Sequence, residues 1–151
     1  MEIFISFSHS DGAAKDMLCK HLSSLAQDGL IHLWDDRQLS PGEWEDEIQD
    51  RLDRADVVLL LVSSDYISSR FCTAEALRAL ERDDAGECFT VPIILRECDW
   101  TTRPWARLVS LPTDGRAVMS NRWHSPDEAF TDVARRLRAW VIKRTETRRA
   151  C

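Results

Sequence analysis

The chain has 151 residues, of which 44% are hydrophobic and 30% charged, with a formal net charge of −6; that is the size and composition of one globular domain with a substantial core. The acidic balance excludes a surface built to hold nucleic acid through phosphates. The basic cluster Lys143-Arg144 with Arg148-Arg149, broken by Glu146, reads as a solvated helix end. No apolar run approaches the ~20 residues of a membrane span, and because Met1-Glu2 leads straight into Ile3-Phe4-Ile5 no secretory signal is expected. The five scattered cysteines, without a CxxC pair, suit reduced thiols and no metal site, so a cytoplasmic setting is expected.

Ile3 to Phe7 form a short strand candidate running into a polar turn at residues 8–12. Ala14, Met17, Leu18, His21, Leu22 and Leu25 then recur at helical spacing, and the helix stops near Asp28-Gly29. A second strand follows at residues 30–34. Ser40-Pro41-Gly42-Glu43 is a helix start, with Ser as cap, Pro in the first turn and Glu three residues on; Trp44, Ile48 and Leu52 give that helix its apolar face. Val57-Val58-Leu59-Leu60-Leu61-Val62 predicts a strand covered on both faces, at the middle of a parallel sheet. A polar loop over residues 63–69 leads to a helix over 70–83. The fourth strand, Val91-Pro92-Ile93-Ile94-Leu95, needs Pro92 where no ladder donor is required. An irregular stretch, 96–112, precedes a weak fifth strand, Ala117-Val118-Met119. A capped final helix begins at Ser125 and buries Phe130, Val133, Leu137, Trp140 and Val141.

Strands alternating with helices predict an α/β fold, a flavodoxin-like three-layer sandwich. Its five-stranded parallel sheet has the order 2-1-3-4-5, with right-handed crossovers and helices on both faces. In that order ligands bind at the carboxyl ends of strands 1 and 3, where the chain reverses. Attention therefore falls on the loops at residues 8–12 and 63–69. The domain is expected to span 1–143, with 144–151 a charged tail or the start of a linker.

Four segments, in order, resemble the TIR (Toll/interleukin-1 receptor) domain family, bacterial type. They are Ile3-Phe4-Ile5-Ser6-Phe7-Ser8-His9-Ser10-Asp11, the loop Asp35 to Gly42, Ser63-Ser64-Asp65-Tyr66 with Ser69-Arg70-Phe71-Cys72-Thr73-Ala74-Glu75, and Val91 to Leu95 ending at Cys98-Asp99-Trp100. The similarity covers about residues 2–142. It implies an NAD+ glycohydrolase activated by self-association in bacterial immune signalling, with Glu75 as the catalytic carboxylate and NAD+ as substrate, not cofactor. The products would be nicotinamide and ADP-ribose, or a cyclic isomer of it. Other copies of the domain, and a fused sensor, are the implied partners. Some enzymatic members carry arginines where this chain has Ser8 and His9, and many carry Trp in place of Phe71.

Residue by residue, Glu75 stands about 60° round the helix from the stripe Cys72, Ala76 and Leu80, at the border of the buried face. The alternative for it is a surface acid paired with Arg78 at i+3. Nicotinamide on a ribosyl carbon is already a cationic leaving group, so the chemistry needs chiefly a carboxylate to steady an oxocarbenium-like sugar. Phe7 and Phe71 offer rings for stacking, and Ser6, Ser8, His9 and Asp36 offer contacts to the sugar and phosphates; core packing and turn capping account for them equally well. Trp34, Gln38, Pro41 and Gly42 are expected at the self-association surface, although helix entry explains the last two. Cys72, on the apolar stripe with no His nearby in sequence, reads as a packed thiol. A non-catalytic TIR–TIR scaffold is the alternative function. A phosphoacceptor receiver fails for want of an acidic pair after strand 1, an aspartate ending strand 3 and a lysine after strand 5.

Overall fold

A computed structural model describes residues 1–34 and 44–150; the expected helix start at residues 40–43, and with it Asp36, Gln38, Pro41 and Gly42, lies outside them. The described elements are β1 (Glu2–Ser6), α1 (Gly12–Gln27), β2 (His32–Leu33), α2 (Trp44–Arg54), β3 (Val57–Val62), α3 (Ser64–Ser68), α4 (Arg70–Asp84), β4 (Phe89–Ile94) and α5 (Pro126–Ala150), with short 3-10 turns between them. The strands are all parallel and ordered β2-β1-β3-β4. This is the expected three-layer α/β architecture, with four strands where five were expected.

Side-chain alternation along β3 divides the core. Val57, Leu59 and Leu61 join Leu18, Leu22, Phe130 and Val133 under α1 and α5. Val58, Leu60 and Val62 join Phe4, Ile48, Leu52, Cys72 and Ala76 under α2 and α4. All six β3 residues have no solvent exposure, as an uninterrupted apolar run in a central parallel strand requires. Truncating any one of its leucines to Ala would cost about 2–5 kcal/mol. Arg82 of α4 ties the two helices on its face together: its Nη1 donates to the Leu52 and Ala55 carbonyls at the end of α2, at 2.7 and 2.9 Å.

Pro92 sits as its lack of an N–H demands. Phe89 and Leu95 donate inward to Asp56 and Val62 of the β3 side, whereas the amides of Thr90 and Ile94 point outward, to the Asp83 carboxylate and the Leu111 carbonyl. Pro92 shares the outward phase, where β3 needs no donor. Leu111 then accounts for the missing fifth strand. It bridges Ile93 on the open edge of β4, and Val118 and Met119 reach only the end of the strand, donating to Ile94 and Leu95 at 2.9 and 2.8 Å. Too little edge is left for a ladder, although Ala117 and Val118 are buried as a strand would bury them.

Further departures are local. The polar loop after β3 contains the short helix α3, capped by Ser63, whose hydroxyl accepts from the Tyr66 amide. Helix α5 continues through Ala150, with Arg144 over the Phe89 ring and Arg148 bonded to Asp56 at 3.0 Å. Trp105 is buried and stacked on Trp100, and Trp123 packs against the α1/α5 core. Among the described residues no helix is long and apolar enough to cross a membrane.

Candidate functional site

Helix α4 starts at Ser69, whose hydroxyl accepts from the Cys72 amide at 3.2 Å. Its buried residues run Cys72, Glu75, Ala76, Ala79, Arg82, a helical stripe at i, i+3, i+4, i+7 and i+10. Glu75 therefore lies within the stripe, not at its border, and is only 8% exposed. The neighbour supposed from spacing is engaged elsewhere: Arg78 bonds Asp53 and Glu81. A carboxylate in this position faces the end of β1, where Ser6 donates to Glu75 Oε1 at 2.9 Å.

Burial pushes the Glu75 carboxyl up from 4.5 to about 7, against the opposing pull of the Ser6 hydrogen bond. A group poised between its two protonation states near neutrality, inside a cleft, marks a functional-site candidate on physical grounds.

That cleft is a cavity of about 190 Å³ at the carboxyl end of β1. Phe4, Phe7, Trp34 and Phe71 supply aromatic wall, Ile5 and Ile48 aliphatic wall, and Ser8, His9, Ser69, Cys72 and Glu75 the polar and ionisable groups. Trp34 stacks on Phe4 with ring centroids 6.1 Å apart, and the Arg51 guanidinium covers it at 5.6 Å. Lys15 Nζ lies 5.3 Å from the Phe7 ring centroid, and the His9 ring meets Phe7 edge-on at 6.4 Å. Phe71 is half exposed at the mouth. Cys72 is buried, with its thiol pushed up chiefly by desolvation, as a packed rather than a nucleophilic sulfur would be.

The structure thus gathers Glu75, Phe7, Ser8, His9, Phe71 and Trp34 around one cavity. Ser8 also caps the 3-10 turn that follows it, accepting from the Ser10 amide. Ser6 stands apart: it is 1% exposed and its hydroxyl is committed to Glu75 and, at 2.8 Å, to the Tyr66 hydroxyl. Of the loop at residues 63–69, Ser69 alone of the described residues reaches the cavity, because α3 folds the rest away.

Sequence reasoning assigned no role to two neighbouring arrangements. One is Tyr66, fully buried behind Ser6; as the chain's single tyrosine, placed in a polar segment, it offered a faint signal. The other joins the loops after β1, β3 and β4. Buried Asp11 accepts from Ser63 Oγ at 2.5 Å and from Arg96 at 2.9 Å, and Arg96 also reaches Asp65 at 2.7 Å. Partners 52 and 85 residues apart leave no trace in local spacing. Among the described residues no group of three or more His, Cys, Asp or Glu could hold a metal ion.

Comparison with known proteins bears on this arrangement. A protein of Sinorhizobium fredii (strain NBRC 101917 / NGR234), described as uncharacterized protein y4lF, is 41% identical over 147 residues, which is 96% of this chain. The chain spans 45% of that relative's length. Among solved structures, the TIR domains of the activated Roq1 resistosome, which directly recognizes the pathogen effector XopQ, align over 89% of this chain and 83% of theirs. Their TM-score is 0.53 at 24% identity, a likeness of fold. The family model for the TIR domain matches residues 3–137, nearly the whole of the sheet, the helices and the cavity, and the chain therefore belongs to the TIR domain family.

Proposed function

We propose that this TIR domain cleaves NAD+ at the nicotinamide–ribose bond, with Glu75 as the catalytic carboxylate. The observation that carries the reading is a buried carboxyl, poised near neutrality, opening into an aromatic-walled cavity at the carboxyl end of β1. Nicotinamide leaves as a neutral ring from a cationic pyridinium, so no strong general acid is needed. The positive charge that passes to the ribose is what an ionised Glu75 steadies. The same oxygen can orient a water, or the carboxylate can hold the ribose while an atom of the nucleotide itself attacks; the products are then ADP-ribose or a cyclic isomer. Phe7 and Phe71 flank the opening as stacking surfaces, and Ser8 and His9 offer polar contacts at its rim.

The cavity's 190 Å³ falls below the ~300 Å³ at which pockets usually begin to enclose a drug-sized ligand. It suits the nicotinamide ring and adjoining sugar, leaving the adenylate half for surfaces beyond it. A second copy of the domain is the natural source of such a surface. Trp34 on the wall leads directly into the segment with Asp36, Gln38, Pro41 and Gly42, proposed respectively for substrate contact and self-association. In a longer chain, a fused sensor would drive that association in an immune response.

Incubating concentrated protein with NAD+ and following nicotinamide release tests the reading. Wild type releases nicotinamide, and Glu75→Ala loses at least about 100-fold of the rate. A Glu75→Ala variant as active as wild type refutes the assignment. A wild type that assembles but never consumes NAD+ is a scaffold instead.

A further inference from the structure

We propose that Tyr66 and Ser6 form a two-hydroxyl relay that lowers the cost of ionising the buried Glu75 carboxyl, Tyr66 donating to Ser6 and Ser6 to Glu75, so that both are positioning residues for the catalytic group. The inference rests on the reading of Glu75 given above and adds the device that eases its ionisation.

The geometry is a chain of three buried groups from three elements. Tyr66 Oη lies 2.8 Å from Ser6 Oγ, and Ser6 Oγ lies 2.9 Å from Glu75 Oε1. Tyr66 and Ser6 are each 1% exposed, so bulk water does not compete for either hydroxyl. Ser6 has one proton and two neighbours. If it donates to Glu75, its oxygen is left as an acceptor, and the phenol of Tyr66 is the donor at hand. Were the chain to run the other way, a protonated Glu75 would donate to Ser6 and Ser6 to Tyr66. The direction of the relay and the charge of the carboxyl are therefore one variable.

The ionised carboxylate takes the first direction, with the Tyr66 phenol as the outer donor. Tyr66 holds its proton, because complete burial raises the phenol well above its ordinary range and the nearby Glu75 adds to the rise. Among the described residues, the hydrogen bond given to the carboxylate is the one from Ser6, and Lys15 stands at the Phe7 wall of the cavity. Tyr66 faces the carboxylate from α3, Cys72 from its own helix, and His9 from the loop after β1 across the cavity. Asp11, which acts on the Cys72 thiol, is held by Ser63 and Arg96. On the α2 side, Arg51 covers Trp34. The donated hydrogen bond lowers the cost of the buried negative charge, in opposition to the burial that raises it. The Ser6 bond is the direct contribution, and Tyr66 strengthens it by polarising the same hydroxyl.

The test reads the carboxyl directly and the reaction in parallel. Protein labelled with ¹³C in its glutamate carboxyls is titrated by NMR as wild type, Ser6→Ala, Tyr66→Phe and the double variant, and Glu75→Gln identifies the signal. Removing a hydrogen bond to an ionised group corresponds to about one to two pH units. Ser6→Ala should raise the Glu75 midpoint by that much. Tyr66→Phe should raise it by a few tenths of a unit, about 10–30% of the same effect, and should add nothing once Ser6 is gone. Rates of nicotinamide release should follow. A midpoint one unit higher leaves about fivefold less carboxylate at pH 7, so Ser6→Ala should be slow there and recover above about pH 9. A merely structural defect would depress the rate at every pH.

A Glu75 midpoint unmoved by Tyr66→Phe, or moved equally with and without Ser6, overturns the relay. Because Tyr66→Phe keeps the ring in its slot, this arm stands even if Ser6→Ala does not fold. The expected titrations beside an undiminished Glu75→Gln activity support the relay and refute the catalytic reading, so the two failures are distinguishable.

Discussion

Replacing Glu75 with Gln should stabilise the protein in a pH-dependent manner, and the dependence can be worked out from the site. Burial holds the folded-state carboxyl near 7, against 4.5 in the open chain. Between those values the native state binds more protons than the unfolded one, so stability falls as pH rises from about 4.5 to 7 and levels off above. The stability associated with the neutral carboxyl is thus fully present in acid and lost through the folded-state midpoint. At ~1.4 kcal/mol per pH unit, and allowing for partial titration at both ends, ionising Glu75 costs about 2–3 kcal/mol between pH 5 and pH 8. Glutamine has nearly the same volume, still accepts from Ser6 and does not titrate. Whatever the amide itself costs cancels when its effect at the two pH values is subtracted. Urea unfolding of both proteins at pH 5 and pH 8 measures that difference. The Gln variant should gain 2–3 kcal/mol relative to wild type on going to pH 8, a midpoint displacement of about 1–2 M at ordinary urea sensitivities. Parallel stability profiles across this range would refute the claim that Glu75 is buried against its charge. The gain should come with loss of nicotinamide release, since the ionised form that weakens the fold is the one proposed to act.

Asp11→Ala leaves the proton of the fully buried Ser63 hydroxyl without its acceptor and should lower stability by about 1–3 kcal/mol, seen calorimetrically as a fall in Tm of about 3–10 °C. Arg96→Met leaves the buried Asp11 carboxylate with the Ser63 bond but without its cationic donor and should likewise cost about 1–3 kcal/mol; a variant as stable as wild type would contradict the account of this cluster. Phe71→Ala trims a ring that is 51% exposed and should leave stability within about 0.5 kcal/mol. Through lost stacking it should raise KM for NAD+ about 2–10-fold, and an unchanged KM would remove Phe71 from the substrate's path. Turnover per molecule should rise with protein concentration as domains complete one another's sites; a flat profile from nanomolar to high micromolar protein, in order of magnitude, would speak against assembly-dependent activity.

The elements that local chemistry specifies were legible in the sequence. The apolar run at Val57–Val62 could only be a doubly covered strand, and β3 occupies those six residues. The stop read near Asp28-Gly29 for α1 and the span 70–83 read for α4 agree with the structure to within a residue or two. Pro92 correctly announced an outward-facing amide position. The fifth strand was misjudged because Ala117-Val118-Met119 has the apolarity of a strand, while the competitor for the same edge, Leu111, sits in an irregular segment with no periodic signal. Glu75 was found by resemblance, and its depth was misread because a helical wheel measures angle, not what covers it. Here β1 and α3 close over a position that the wheel places at a border.

What the sequence determined by itself, then, was the alternation of strands and helices, the parallel sheet and the family, all properties of short windows whose periodicity and capping are local. The tertiary structure alone decided the state of the site. It brought Ser6, Tyr66 and Glu75, as many as 69 residues apart, into one buried chain, and joined Asp11, Ser63 and Arg96 across three loops. A carboxyl's charge depends on its solvation and its hydrogen-bond donors, and both are supplied by residues distant in sequence that meet only when the sheet is assembled.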